Sequence, residues 1–291
     1  MRYIALDIET VRNEDVSWEA PEDKPWFFPP IPTHKIVSLS VMEIGVDNLR
    51  QWYLKGLCSL GKMDENGFAS EESILQELSQ YGRICSEGER VRFVTWYGGS
   101  FDFPVITLRA LSHGIVIPWL DEILSGQFVR RLGNRDHVDL YEVFTSGRAS
   151  RGMRLGHVCQ ALGLPSKING IHGGAIQDLF DERKNALINA YCQGDVWVTG
   201  MLLLRYLMGT ARISREQQDA LVFKGLEIIR AKSSPRHNKW AENPEVEAYY
   251  QEILRNIKLE KMMFGKKYRD YSRLGSSASA SSDDLQDNLP F

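Results

Sequence analysis

Two carboxylates stand two positions apart at the end of the first apolar segment of the chain. The segment Tyr3–Ile8 is short, apolar and partly β-branched, which predicts a strand. Residues i and i+2 of a strand point to the same face, so Asp7 and Glu9 project together. Neighbouring ionised groups near a core are costly unless they are paired or bound to a metal. The pair therefore indicates a candidate site for a divalent cation.

Two more aspartates and a tyrosine can join this pair. Asp102 lies between a predicted strand, Val91–Trp96, and a predicted helix, Phe103–His113. Binding sites of α/β sheets form near strand ends at such places. Asp195 lies in a long predicted helix, and Tyr191 precedes it by four residues, so the two side chains share one helix face. The sequence thus offers four carboxylates and one phenol for a single site.

The elements that must position these residues follow from hydrophobic periodicity. Strands are predicted at 3–8, 35–43, 49–54, 91–96 and 136–140, and helices at 70–83, 103–113, 155–162 and 182–208. Three strands followed by alternating helix and strand predict an α/β fold with a mixed sheet flanked by helices. We expect a first domain at 1–213, a helical extension at 214–271, and a disordered serine-rich acidic tail at 272–291.

Composition excludes several other classes of protein. The chain has 291 residues with 43% apolar and 25% charged residues, which excludes a wholly disordered chain and a disulfide-dense mini-protein. The net charge of −3 gives no global sign of a nucleic-acid partner. No CxxC pair occurs, which argues against a zinc ribbon. Acidic residues precede any signal-like apolar run, and 196–208 is too short to span a bilayer, so we expect a cytoplasmic protein without membrane contact.

Three motifs together resemble a known family. They are Asp7-Ile8-Glu9-Thr10, Phe101-Asp102-Phe103-Pro104 and Tyr191-Cys192-Gln193-Gly194-Asp195. In this combination the chain is similar, over about residues 1–210, to 3′→5′ exonucleases of the DEDD superfamily, in the DEDDy subgroup that the tyrosine marks. Within it, the sequence resembles the proofreading exonuclease domain of B-family DNA polymerases, which has an RNase H-like fold. One departure is that Tyr97-Gly98 stands where the family usually has Asn-Gly.

The resemblance implies a phosphodiesterase that uses two divalent cations, Mg²⁺ or Mn²⁺. It implies that Asp7 bridges both ions, that Glu9 and Asp195 complete the first, and that Asp102 holds the second. Two ions can stabilise the attacking and leaving oxygens of an in-line displacement, and oxygen ligands suit Mg²⁺ and Mn²⁺. Tyr191 would orient the nucleophilic water rather than deprotonate it, since a free phenol has a pKa near 10. The products would be nucleoside 5′-monophosphates released from 3′ ends.

Several weaker features bear on the substrate. Residues 125–168 hold seven basic and three acidic residues, so this stretch can attract a phosphate backbone or form a solvated face. The candidate substrate-binding residues are Thr10, Tyr97, Phe101 and Arg151. Tyr97 and Phe101 can stack on a terminal base, whereas Phe101 can equally pack in the core. We expect single-stranded DNA as the substrate. An exoribonuclease and a non-catalytic nucleic-acid-binding protein on the same fold remain alternatives.

The last residues carry a separate signal. The acidic run before Leu289-Pro290-Phe291 resembles the tip of bacterial single-stranded-DNA-binding proteins. An aromatic side chain and a free carboxylate can be captured together by an apolar pocket with a basic rim. The resemblance implies binding to proteins of DNA repair or replication that recognise such a tip.

Overall fold

The computed structural model describes residues 2–20, 22–23, 28–86, 91–121, 136–150, 152–165, 171–231 and 244–264. Within these residues, five strands form one sheet in the order β3-β2-β1-β4-β5. The strands are β1 (Arg2–Arg12), β2 (His34–Val46), β3 (Trp52–Ser59), β4 (Val91–Thr95) and β5 (His137–Asp139). The pairs β1–β2 and β2–β3 are antiparallel, and β1–β4 and β4–β5 are parallel. The sheet is therefore mixed.

Helices cover both faces of this sheet. In chain order they are α1 (Glu71–Ser86), α2 (Asp102–His113), α3 (Leu140–Phe144), α4 (Leu155–Ala161), α5 (Ile176–Asp181), α6 (Asn185–Gly209), α7 (Arg215–Ala231) and α8 (Pro244–Phe264). The predicted α/β fold with a mixed sheet flanked by helices is confirmed. Among the described residues, no helix combines the length and the apolar character that crossing a membrane requires.

Two predicted boundaries were wrong for local reasons. The third strand does not begin at Leu49, because Asp47 Oδ1 accepts hydrogen bonds from the N–H groups of Leu49 and Gln51, at 2.9 and 2.8 Å, and closes a turn there. The long helix does not begin at 182. The short helix α5 ends at Asp181, and Arg183 takes a left-handed conformation (φ +56°) before α6 starts.

The side chains of β1 divide the core into two layers. Ile4, Leu6 and Ile8 pack toward α1 and α2, whereas Tyr3 and Ala5 pack in the layer that contains α6. Side chains of a strand alternate between faces. The same alternation directs Asp7 toward α6, away from the layer of Ile8. The sheet thereby directs the Asp7 carboxyl group toward α6, a helix in which most residues are buried.

The helices after residue 213 share this second layer. Leu221, Val222 and Leu226 of α7 and Tyr249 of α8 are buried in the same cluster as Trp197 of α6. Burial of an aliphatic or aromatic side chain of this kind contributes roughly 1.5–3 kcal/mol, so these helices stabilise the sheet layer. The division into domains at 213 and 214 stays a prediction. The predicted tail at 272–291 lies outside the described residues.

Candidate active site

The strand β1 delivers Asp7 and Glu9 to the site. The pairing of β1 with β2 is in register up to Glu9–Ser38 and then shifts before Thr10–Ile36. Such a bulge bends the strand and re-aims the side chains beside it. Glu9 is buried and Asp7 is partly buried. Glu9 therefore lies at a local irregularity of the central strand, and Asp7 lies two residues before it.

The third carboxylate comes from the start of α2. Asp102 is buried and is the first residue of this helix. The main-chain N–H of Ile8 donates a hydrogen bond to Asp102 Oδ1 at 3.2 Å. A carboxylate is stabilised at a helix N-terminus by the N–H groups and the dipole there. This contact fixes the N-terminal end of α2 against β1, next to Asp7.

The helix α6 supplies the last two predicted residues. Tyr191 and Asp195 lie one turn apart on α6, and their side chains interact electrostatically. Asp195 interacts electrostatically with Asp7 and Glu9. The structure thus brings together all five residues that the sequence indicated, from β1, α2 and α6. Their assigned roles stay predictions.

Burial and mutual repulsion change the protonation of this cluster. Burial first, and then the charges of Asp102, Glu9 and Asp195, raise the pKa of Asp7 well above its usual range. The pKa of Glu9 is raised in the same way, by burial and then by Asp195 and Asp102. Burial also raises the pKa of Asp102 and that of Asp195 to about 7 each. The cluster therefore needs a counter-charge in order to be ionised.

The chemistry of the donors fits a hard divalent cation. Oxygens of Asp7 and Glu9 and the Sγ of Cys192 lie within 4.8 Å of one another. Clustered carboxylate oxygens suit Mg²⁺ and Mn²⁺, and a cation would replace the protons that the raised pKa values otherwise demand. The residues present therefore fit a site for a divalent metal.

Cys192 is a neighbour of the site that the sequence reasoning did not single out. Its Sγ donates a hydrogen bond to the main-chain oxygen of Asp7 at 3.3 Å and lies 3.9 Å from Asp7 Oδ2. Burial, followed by the charges of Asp7 and Glu9, raises the pKa of this thiol well above its usual range. A thiol that stays protonated packs against Asp7 rather than binding a metal. Its spacing of three residues from Asp195 could have placed it on this face of α6.

Two cavities of about 560 and 640 Å³ adjoin the carboxylates. The first includes Asp7, Asp102 and Tyr97 in its wall, and the second includes Glu9 and Thr10. Both are also lined by Phe28 and Phe101. Phe101 contacts the rings of Phe28 and His34 edge to face, with centroids 5.5 and 5.0 Å apart. Phe101 also packs against the core layer of β1 and α2, so its ring serves the core and the cavity wall together.

Thr10 is held by a histidine. His34 Nε2 lies 3.1 Å from the carbonyl oxygen of Pro29, and His34 Nδ1 lies 2.9 Å from Thr10 Oγ1. Because a carbonyl oxygen only accepts hydrogen bonds, Nε2 donates a hydrogen bond to it. The Nδ1 of the neutral ring then accepts a hydrogen bond from the Thr10 hydroxyl. Burial lowers the pKa of His34, which favours this neutral form. The Thr10 oxygen therefore presents an acceptor to the second cavity.

Tyr97 lines the first cavity from the loop after β4; we call the two cavities together the cleft. Asp139 anchors this loop, because its carboxylate accepts hydrogen bonds from the N–H groups of Tyr97 and Gly99 at 2.9 and 3.1 Å. His137 lies beneath and bonds Thr95 Oγ1 at 2.8 Å, and burial lowers its pKa to about 3. A neutral structural histidine fits that position. Of the remaining sequence predictions, Arg151 and the residues Leu289, Pro290 and Phe291 lie outside the described residues.

One protein family matches most of this chain. Residues 27–245, more than half of the chain, match the family described as "Predicted 3'-5' exonuclease related to the exonuclease domain of PolB". The chain therefore belongs to that family, and this membership supports a nuclease hydrolase. The matched range contains Asp102, Tyr191 and Asp195, whereas Asp7 and Glu9 precede it.

One solved structure illustrates the similarity. The family B DNA polymerase from the hyperthermophilic archaeon Pyrobaculum calidifontis aligns with 78% of this chain and 29% of its own, at 17% sequence identity and a TM-score of 0.45. The chain therefore spans less than a third of that polymerase. No curated protein matches the sequence significantly.

Proposed function

We propose that this protein is a 3′→5′ exonuclease that hydrolyses phosphodiester bonds at the 3′ ends of single-stranded DNA and releases nucleoside 5′-monophosphates. The observation that carries the proposal is the cluster of Asp7, Glu9, Asp102 and Asp195, whose raised pKa values require a counter-charge. Membership of the exonuclease family supports the direction and the bond that is cleaved.

The four carboxylates would hold two divalent cations, Mg²⁺ or Mn²⁺. Asp7 interacts electrostatically with each of the other three carboxylates, which supports a role between the two ions. When bound, two such ions stabilise the attacking and leaving oxygens of an in-line displacement at phosphorus. The DEDDy assignment follows from Tyr191, the fifth residue of the site.

Tyr191 would orient the attacking water without removing its proton. Burial, followed by the charges of Asp195, Glu9 and Asp7, raises the pKa of this phenol. A phenol that stays protonated at neutral pH can donate or accept one hydrogen bond but does not act as a base. The charge interactions with Asp195, Glu9 and Asp7 show that its oxygen lies near the carboxylates.

The walls of the cleft favour an unpaired strand. Phe28 is 64% exposed and Phe101 lines both cavities, so aromatic surface is available to unpaired bases. The acceptor on Thr10 can receive a hydrogen bond from a sugar hydroxyl at the strand end. We place DNA first, and the experiment below includes RNA because no described contact distinguishes a 2′-hydroxyl.

A gel assay tests the proposal. The full chain is incubated with 5′-labelled single-stranded DNA or RNA in Mg²⁺, Mn²⁺ or EDTA, beside Asp7→Asn. We expect a metal-dependent ladder that shortens from the 3′ end, and a loss of at least about 10²-fold in the variant, as when one group that stabilises a transition state is removed. Glu72→Gln, an exposed carboxylate on α1, is the matched control and should retain full activity.

The pattern of results separates the three candidate functions. Faster cleavage of RNA would make the protein an exoribonuclease. No ladder with either metal, together with tight binding of the oligonucleotide, would favour a non-catalytic binding protein. A ladder that persists in Asp7→Asn would contradict the assignment of the carboxylates.

A further inference from the structure

Tyr97 has a backbone conformation that its side chain does not favour. Its φ is +69°, in the left-handed region that glycine and asparagine adopt far more readily. The residue is nevertheless 42% exposed, and it lines the cavity that contains Asp7 and Asp102. A strained residue with a large exposed ring beside reactive groups is a reason to look for a function.

A buried carboxylate holds the Tyr97 backbone in this conformation. Asp139 accepts hydrogen bonds from the N–H groups of Tyr97 and Gly99, and its Oδ1 also accepts from the N–H of Tyr141, at 3.0 Å, at the start of α3. The loop after β4 and the helix α3 are therefore fixed to one group. As a result, the ring of Tyr141 lies 4.8 Å from that of Tyr97, nearly perpendicular to it.

A second strained segment meets the same ring. Ser146, Gly147 and Arg148 have positive φ values of 52°, 69° and 74°. The N–H of Arg148 donates to Thr145 Oγ1 at 3.0 Å, which closes this turn. The turn places the Arg148 guanidinium over the Tyr97 ring, 5.3 Å from its centroid. Two unusual backbone segments, distant in sequence, thus converge on one exposed ring.

The charge of Arg148 is already neutralised by another side chain. Its Nη2 forms an ion pair with Glu142 Oε1 at 2.8 Å. A guanidinium paired in this way contributes little net charge to attract a phosphate, but it still fixes the ring by a cation–π contact. Arg148 and Tyr141 are therefore positioning residues, and Tyr97 is the group that remains available to a ligand.

We propose that Tyr97 is a stacking platform for one unpaired nucleobase of the strand whose 3′ end lies at Asp7 and Asp102. This inference rests on the proposed function and names a subsite of it. An aromatic ring stacks on any base, so the subsite selects unpaired nucleotides near the 3′ end rather than a particular sequence. The strain at Tyr97 persists because asparagine or glycine would relax the backbone but provide no ring.

The informative variant is Tyr97→Asn. Asparagine tolerates the left-handed conformation, so relief of strain offsets part of the lost ring contacts, and circular dichroism should show an intact fold. Tyr97→Phe restores the ring and should recover most of the affinity. Arg148→Gln tests the positioning role. Leu111→Asn, at a position that is 72% exposed on α2, controls for removal of an exposed apolar side chain.

The experiment compares intact oligonucleotides with strands that carry one abasic site at the first, second or third position from the 3′ end. KM is measured in Mg²⁺, and binding is measured by fluorescence anisotropy in EDTA. We expect Tyr97→Asn to raise KM and weaken binding about five-fold or more, which corresponds to the lower end of stacking on one base. At one position, the abasic site should weaken binding to the wild type but not to Tyr97→Asn. Arg148→Gln should give a smaller loss in the same direction.

The outcomes separate this inference from the proposed function. The proposed function holds if the wild type degrades DNA and Asp7→Asn does not. If Tyr97→Asn then keeps the wild-type KM and the wild-type response to every abasic position, Tyr97 only packs against Tyr141 and the inference is wrong. If the wild type neither degrades nor binds the strands, both fail. If it binds without cleavage, the anisotropy series alone decides the role of Tyr97.

Discussion

Replacing Asp102 by asparagine should stabilise the metal-free protein at alkaline pH while it abolishes metal-dependent cleavage. The change removes one charge from the acidic cluster and keeps the shape of the side chain. The amide oxygen can still accept the hydrogen bond from the Ile8 N–H, which the carboxylate receives at 3.2 Å. Lost packing should therefore contribute little to the result, and the electrostatic cost of the charge can be measured directly.

The magnitude follows from the pKa. Burial raises the pKa of Asp102 from 3.8 to about 7, and one pKa unit corresponds to about 1.4 kcal/mol. Because the folded state binds this proton more tightly than the unfolded state, stability is greatest below the unfolded pKa and is lost as the pH rises through about 7. At alkaline pH, ionised Asp102 costs up to about 4 kcal/mol, which is a large part of a typical folding free energy.

The assay is urea unfolding in EDTA at pH 5 and pH 8. We expect the free energy of unfolding of the wild type to fall between these values, and Asp102→Asn to fall less and to be the more stable protein at pH 8. Added Mg²⁺ should narrow this difference, since a ligand at 100 times its Kd adds about 2.7 kcal/mol to the state that binds it. A wild type whose stability in EDTA does not change with pH would refute this account of the cluster.

Three further predictions concern Glu71, Tyr191 and Gly98. Glu71→Gln should destabilise the protein by about 3–5 kcal/mol in urea unfolding, because it leaves buried Arg109, now bonded at 2.6 Å, without its charge partner. Burial opposes ionisation of Glu71, but hydrogen bonds from Arg109 and other groups outweigh burial and lower the pKa of this carboxyl. The free energy of unfolding of the wild type should therefore also fall as the pH drops below about 4.5 through that pKa. A free energy of unfolding that does not change over this acid range would contradict the prediction. Tyr191→Phe should lower kcat by about 10²-fold with little change in KM, measured by single-turnover kinetics, and a raised KM alone would argue against orientation of the water. Gly98→Ala should cost about 1–3 kcal/mol, because the added Cβ would lie 2.7 Å from Thr95 Cγ2, and an unchanged melting temperature would refute the close packing.

The sequence was sufficient to predict the fold class and which carboxylates meet. Alternation along β1 and the helical spacing of Tyr191 and Asp195 are local patterns with strict periods, and they carry directly into three dimensions. The chain order of strands and helices then limits the topologies to a few. These rules predicted a mixed sheet, and the structure has one.

Features that depend on contacts between distant segments could not be predicted. Nothing local in the sequence indicates that Arg148 would lie over the ring of Tyr97, or that His34 would accept a hydrogen bond from the Thr10 hydroxyl. The turn at Asp47 is a different case, because aspartate side chains commonly bond to the backbone two residues ahead. That signal was present in the sequence, although the predicted strand began at Leu49.

Several departures from ordinary local rules lie at the candidate site. They include carboxylates with raised pKa values, the bulge between Glu9 and Thr10, and the left-handed backbone at Tyr97. Each lowers stability relative to an uncharged residue, a regular strand or a glycine, and natural proteins keep such exceptions at functional sites. A bound cation would account for the carboxylates, but it would not account for an exposed ring on a strained backbone. The proposed stacking of an unpaired base on Tyr97 would give that ring a function.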